Sequence, residues 1–179
     1  MKVTATAIPE VKLIEPRVFG DERGFFMESW NARTLAAAGI DATFVQDNHS
    51  RSRRGVLRGL HYQIEHAQGK LVRVAIGEVF DVVVDLRRSS ASFGQAVSVV
   101  LSADNKQMLW VPPGFAHGFM VLSESADFLY KTTDYWFQQH ERTLLWNDPA
   151  LGIAWPDLPP LLADKDAAGL PLARAETYA

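Results

Sequence analysis

Val79-Phe80-Asp81-Val82-Val83-Val84-Asp85-Leu86 (VFDVVVDL) is dense in β-branched residues, which suit a pleated strand, and this stretch decides the fold class. Working outward, Val97–Leu101 (VSVVL) is a second short apolar run. Ser102-Ala103-Asp104-Asn105 supplies turn chemistry, and Met108–Val111 resumes the strand pattern. Pro112-Pro113-Gly114 marks a sharp turn, after which Phe119–Leu122 and Phe128–Thr133 read as further strands. Short strands at this spacing predict an all-β sandwich or barrel.

Helical pattern is scarce. Asn31–Gly39 (NARTLAAAG) predicts one short helix, with Asn31 as N-cap and Gly39 as terminator. From Ala150 onward, Pro156, Pro159, Pro160 and Pro171 predict an irregular arm with short helical turns laid across the barrel. The 179 residues carry no internal repeat and no shift in composition, so one domain is expected over 1–179. A net charge of −3 gives no reason to expect a nucleic-acid partner. The absence of cysteine excludes disulfides, thiolate nucleophiles and zinc–thiolate sites. No run approaches the ~18 apolar residues of a membrane helix, and the first residues lack a signal-peptide pattern, so no membrane association and a cytoplasmic location are expected.

Three residues do not fit a plain core. In the strand opening at Lys70, positions 70, 72, 74 and 76 share a face with Val72, Val74 and Ile76. Lys70 is then either a strand-end lysine that snorkels to water or a cation at the barrel mouth able to stabilise an oxyanion. His61 lies in RGLHYQ (58–63) among hydrogen-bonding groups. Strict alternation puts Arg58 and His61 on opposite faces, and a bulge at Gly59 would bring both to one pocket. Tyr130, beside the wetter Lys131, points inward with a hydroxyl that needs either a structural partner or a chemical role. Gln46-Asp47-Asn48-His49 reads as a loop or as a pocket lining, and Arg51, Arg53 and Arg54 as a solvated basic run. No phosphate loop or dinucleotide fingerprint is present.

FGDERGFFMESW (19–30), FVQDNHSRSRRGVLRGLHYQ (44–63), QGKLVRVAIGEVFDVVVDLR (68–87), VPPGFAHGF (111–119), FLYKTTDYW (128–136) and WNDPALGIAWP (146–156) cover nearly the whole chain in order. Together they resemble the dTDP-4-dehydrorhamnose 3,5-epimerase family. The resemblance implies a double-stranded β-helix, a cupin-like jelly roll with short peripheral helices. It also implies a homodimer whose N-terminal segments cross to the partner, and it puts the general base on His61, with Asp166 orienting it. The general acid falls on Tyr130, and Lys70 falls beside the sugar carbonyl. Nucleotide and diphosphate contacts fall on Arg23, Glu28, Gln46, Asp47, Asn48, Arg58, His117, Glu141 and Lys165. Trp136 takes the place of an aromatic that stacks on thymine, and Phe26 and Glu28 would serve the partner's site. Ala67 and the Trp136-Phe137-Gln138 run depart from the usual pattern, the first where a proline is common, the second where an aromatic and a proline are frequent.

The implied reaction converts dTDP-4-dehydro-6-deoxyglucose to dTDP-4-dehydro-L-rhamnose, for dTDP-L-rhamnose biosynthesis. A 4-keto group acidifies the C3 and C5 hydrogens. Inversion then needs a base, an acid on the other face and charge stabilisation at O4, and it needs no cofactor and no metal. A single-centre epimerase or a 3,4-ketoisomerase would share most of these residues. A metal-dependent dioxygenase would want H-x-H where the chain has His61 and Gln63. A non-catalytic nucleotide-sugar binder could dispense with His61, Tyr130, Lys70 and Asp166.

Overall fold

The strand predicted at Val79–Leu86 forms over Glu78–Asp85 and is buried on both faces. Val79 and Val83 join one apolar cluster while Val82 and Val84 join another, which explains a nearly continuous apolar run instead of an alternating one. The computed structural model describes residues 1–179. Its strands, in chain order, are β1 (Lys2–Ala5), β2 (Lys12–Glu15), β3 (Val18–Asp21), β4 (Gly24–Met27), β5 (Gln46–Arg53), β6 (Leu57–Gln63), β7 (Lys70–Ile76), β8 (Glu78–Asp85), β9 (Ala96–Ser102), β10 (Met108–Val111), β11 (Phe115–Val121), β12 (Ser125–Thr132) and β13 (Glu141–Thr143). Two short helices, α1 (Ala32–Ala37) and α2 (Asp164–Ala167), complete it.

The strands form two facing sheets. One runs β1-β2-β10-β7-β12-β5, the other β13-β6-β11-β8-β9, and β3-β4 is a separate hairpin. Every strand pair is antiparallel, and the two-sheet arrangement is a jelly roll. Between the sheets lie Val72 and Val74 of β7, Val79 and Val83 of β8, Phe119 of β11 and Phe128 of β12. Outside the five-stranded sheet, Leu151 and Ala175 of the C-terminal segment cover Leu60, Val82 and Val84. Outside the six-stranded sheet, Leu35 and Ile40 cover Leu71, Met108 and Trp110.

The predicted helix forms as α1, where the Asn31 side chain accepts from Thr34 N at 3.1 Å and Gly39 follows the end at φ +78°. The strand expected from Phe119 begins four residues earlier, at Phe115. The run 46–53 is strand β5, not a loop; its even-numbered residues are the more buried ones, and pairing with β12 over eight positions holds it as the edge of the six-stranded sheet. Ile76 is 48% exposed and does not join Val72 and Val74. The β7–β12 register shifts between Asp127 and Phe128, and this irregularity breaks the alternation after Val74. The segment after Ala150 is an irregular arm, tied to the sheets by single bridges Val56–Leu161, Leu144–Leu170 and Arg87–Tyr178.

Candidate active site

A cavity of about 490 Å³ opens between the two sheets, closed on one side by the arm. Three strands of the six-stranded sheet reach it: β5 with Gln46 and Asn48, β7 with Lys70, and β12 with Tyr130. From the facing sheet come Arg58 and His61 on β6, His117 on β11 and Glu141 on β13, while the arm adds Lys165 and Asp166.

Arg58 and His61 share the cavity because β6 is irregular between them. His117 pairs with His61 but Phe119 pairs with Arg58, a register shift centred on Gly59 and Gly118. Gly59 holds φ +130°, and a Cβ there would sit 2.6 Å from Gly118 Cα, so two glycines let the strands approach at the bulge.

His61 Nε2 lies 2.5 Å from Asp166 Oδ1. The carboxylate is almost wholly buried, whereas the imidazole is 21% exposed toward the cavity. With Nε2 engaged, Nδ1 is the nitrogen left for a ligand. Lys70 is 8% exposed, and its ammonium donates to the His61 carbonyl at 3.3 Å. Burial lowers its pKa to about 8, opposed by the charges of Glu141 and Asp81, so the ammonium persists at neutral pH close to its titration point. The Tyr130 phenol is raised above its ordinary pKa, first by burial and then by Glu141, which keeps its proton in place.

The Arg58 Nε donates to Ser52 Oγ at 3.0 Å, which leaves the two terminal nitrogens of its fork for the cavity. Lys165 bridges Glu141 at 3.0 Å, and Gln46 Nε2 donates to Asn48 Oδ1 at 3.1 Å. His117 lines the wall with Nε2 at 3.0 Å from both oxygens of Asp81. Asp81 is fully buried, and burial raises its carboxyl pKa against the lowering effect of His117. Trp136 stands half exposed at the mouth.

Four of the sequence-derived residues lie elsewhere. Asp47 is on the outer face of β5, paired with Lys131 at 2.9 Å, because alternation turns it away from Gln46 and Asn48. Arg23 sits on the exposed hairpin turn, bonded to Asp21, and Phe26 on the same hairpin is 68% exposed. Glu28, just beyond it, accepts from Asn31 Nδ2 at 3.1 Å. Sequence reasoning noted Gln63 only as a polar neighbour of His61 and passed over Asp81, Gln68 and Ser52. Asp81 had a signal, a carboxylate inside an apolar strand; Gln68 and Ser52 become visible only through their bonds. No group of three or more His, Cys, Asp or Glu side chains comes together as a metal-binding set.

The arrangement is suited to proton transfer, and the two sheets around it form a jelly roll. Fold and cavity together define a cupin-like protein with a polar site between its sheets. Residues 5–174 match the family described as dTDP-4-dehydrorhamnose 3,5-epimerase, and the chain belongs to that family, whose members are isomerases. It is 63% identical over 180 residues to a dTDP-4-dehydrorhamnose 3,5-epimerase of Pseudomonas aeruginosa, covering 99% of both chains. It superposes with a TM-score of 0.95, at 52% identity, on a dTDP-6-deoxy-D-glucose-3,5-epimerase from Legionella pneumophila in complex with dTDP-4-keto-L-rhamnose, covering 98% of this chain and 94% of that one. A 3'-monoepimerase from Streptomyces bikiniensis in complex with dTDP-quinovose is also similar, at 33% identity and a TM-score of 0.89, over 94% of this chain and 87% of that one. No helix is long and apolar enough to cross a membrane.

Proposed function

We propose that the chain inverts C3 and C5 of dTDP-4-dehydro-6-deoxy-D-glucose to give dTDP-4-dehydro-L-rhamnose, in dTDP-L-rhamnose biosynthesis and so in the cytoplasm. The observation that carries the mechanism is that His61 and Tyr130 reach one cavity from opposite sheets. A base on one side and an acid on the other is what inversion at carbon demands.

His61, its ring oriented by Asp166, removes the proton from C3 or C5. The C–H electron pair moves into the ring and onto O4, forming an enolate, and the Lys70 ammonium stabilises that charge. Tyr130 gives its proton to the opposite face of the carbon, the carbonyl re-forms, and solvent resets both residues. Arg58 grips the diphosphate with its free fork. Gln46, Asn48, Glu141, Lys165 and His117 hold the rest of the ligand, with Trp136 stacked on the thymine. Remote binding energy keeps the sugar in place for two successive transfers.

The chain acts as a homodimer in this reading. Phe19, Phe25 and Phe26 on the β3–β4 hairpin are each more than half exposed, and Arg23, Phe26 and Glu28 do not line their own chain's cavity. Burying that hairpin against a second copy would remove the exposed aromatics from water and deliver these residues to the partner's site.

Incubation with dTDP-4-dehydro-6-deoxyglucose in deuterated water, followed by NMR, tests the reading. Deuterium at both C3 and C5, lost in His61→Ala, is the expected result. Label at one centre would make the chain a mono-epimerase, and binding without label would reduce it to a nucleotide-sugar binder.

A further inference from the structure

We infer that Gln63 is a positioning residue that holds the Trp136 segment as one jaw of the nucleobase site, an inference that rests on the reading of Trp136 as the stacking residue. Gln63 follows His61 by two positions on β6, and its side chain is almost wholly buried at 3% exposure. Its amide nitrogen donates to the carbonyls of His66 at 2.8 Å and Tyr135 at 3.2 Å. Its amide oxygen accepts from Phe137 N at 2.7 Å. One side chain thus pins the backbone on both sides of Trp136. The Trp136 N–H itself donates to Gln46 Oε1 at 3.2 Å.

The support for Gln63 is rigid. Its own carbonyl accepts from the Tyr178 hydroxyl at 2.5 Å, and its backbone pairs with Glu141 of β13. The Trp136 indole, by contrast, is half exposed, so its position is set by the backbone more than by packing. A stacking surface fixed before the ligand arrives loses less conformational freedom on binding. Gln63 stands where a metal-binding jelly roll would place a second histidine, and here the position serves the nucleotide end of the cavity.

Gln63→Met keeps the length of the side chain and removes all three hydrogen bonds. The dTDP dissociation constant and the KM are expected to rise about tenfold, with kcat changed less than about twofold. In protein labelled with 5-fluorotryptophan, the Trp136 fluorine signal, assigned with Trp136→Phe, is expected to shift and broaden. The signals of Trp30, Trp110, Trp146 and Trp155 should stay in place and report an intact fold. In the Trp136→Ala background the same substitution is expected to cost no further dTDP affinity.

An unchanged Trp136 signal with unchanged dTDP affinity would overturn the inference, as would an equal loss of affinity in both backgrounds. If Gln63→Met does not fold, Gln63→Glu, which keeps the acceptor for Phe137 and loses both donors, carries the same measurements. Failure of the stacking reading shows separately: Trp136→Ala would then bind dTDP as tightly as the parent protein, whatever the fluorine spectrum does.

Discussion

Asp166 and His61 meet at 2.5 Å across 105 residues of sequence, one on a four-residue helix of the surface arm and the other on a strand of the barrel. The pair fixes which imidazole nitrogen faces the ligand. Asp166→Asn keeps the shape but loses the charge that stabilises an imidazolium. We expect kcat to fall by about 10²–10⁴, with KM within a few-fold, in a deuterium-incorporation assay. A fall smaller than tenfold would show that the tautomer is set by other groups.

Tyr130→Phe should separate chemistry from stability. The hydroxyl faces the cavity, and its raised pKa keeps it protonated. Its removal is expected to slow epimerisation by about 10²–10⁴, the usual worth of a general acid. Chemical denaturation should find the fold changed by less than about 1 kcal/mol, because the ring remains.

Lys70 is expected to be costly to the fold and necessary to the reaction. Burial lowers its pKa from 10.5 to about 8 in the folded chain, so the folded state disfavours the charge. That penalty is full below pH 8, where folded and unfolded chains both carry the proton. It disappears as pH rises from about 8 to 10.5. Lys70→Met should therefore be more stable at pH 7, by about 1–3 kcal/mol, with the advantage fading toward pH 10. The same variant should lack epimerase activity, and in the parent protein kcat/KM should decline above about pH 8 as the ammonium of the free protein is lost. Thermal melts across pH, set beside a pH–rate profile, check both signs.

Gly59→Ala should damage fold and site together. The new methyl would lie 2.6 Å from Gly118 Cα and 3.0 Å from the His117 carbonyl, at φ +130°. We expect a loss of about 3 kcal/mol or more in urea denaturation. Since the bulge is what turns Arg58 and His61 to one cavity, residual folded protein should also bind dTDP more weakly.

The fold class was legible because VFDVVVDL and its neighbours are short, β-branched and separated by strong turns. The helix at α1 was legible from its caps. β5 was less so: its strand character comes from eight paired positions with β12, while its own residues are polar. Ile76 misled because a register shift in the neighbouring pairing cancels the alternation that sequence periodicity assumes. At the site, Lys70 and Tyr130 stood out as polar groups on inward strand faces, and His61 as a histidine among hydrogen-bonding neighbours. Asp166 had no local signal, since its partner is distant in sequence, and it was placed only by family resemblance. Asp47 was read together with Gln46 and Asn48 as one polar cluster, and strand alternation divides that cluster between two faces.

The way the arm meets the barrel divides the cavity between two kinds of support. Tyr130 and Lys70 sit on strands locked into the β7–β12 ladder, where change is expensive. The carboxylate that orients His61 lies on the C-terminal arm, outside the sheet ladders, held by isolated bridges and by packing on the outer face of the five-stranded sheet. Mutations in that segment can alter the orientation of the imidazole while the strands that carry Tyr130 and Lys70 stay as they are. The direction of the imidazole and the architecture of the barrel are thus set by separate parts of the chain, so the first can be changed by substitution in the arm without rebuilding the second.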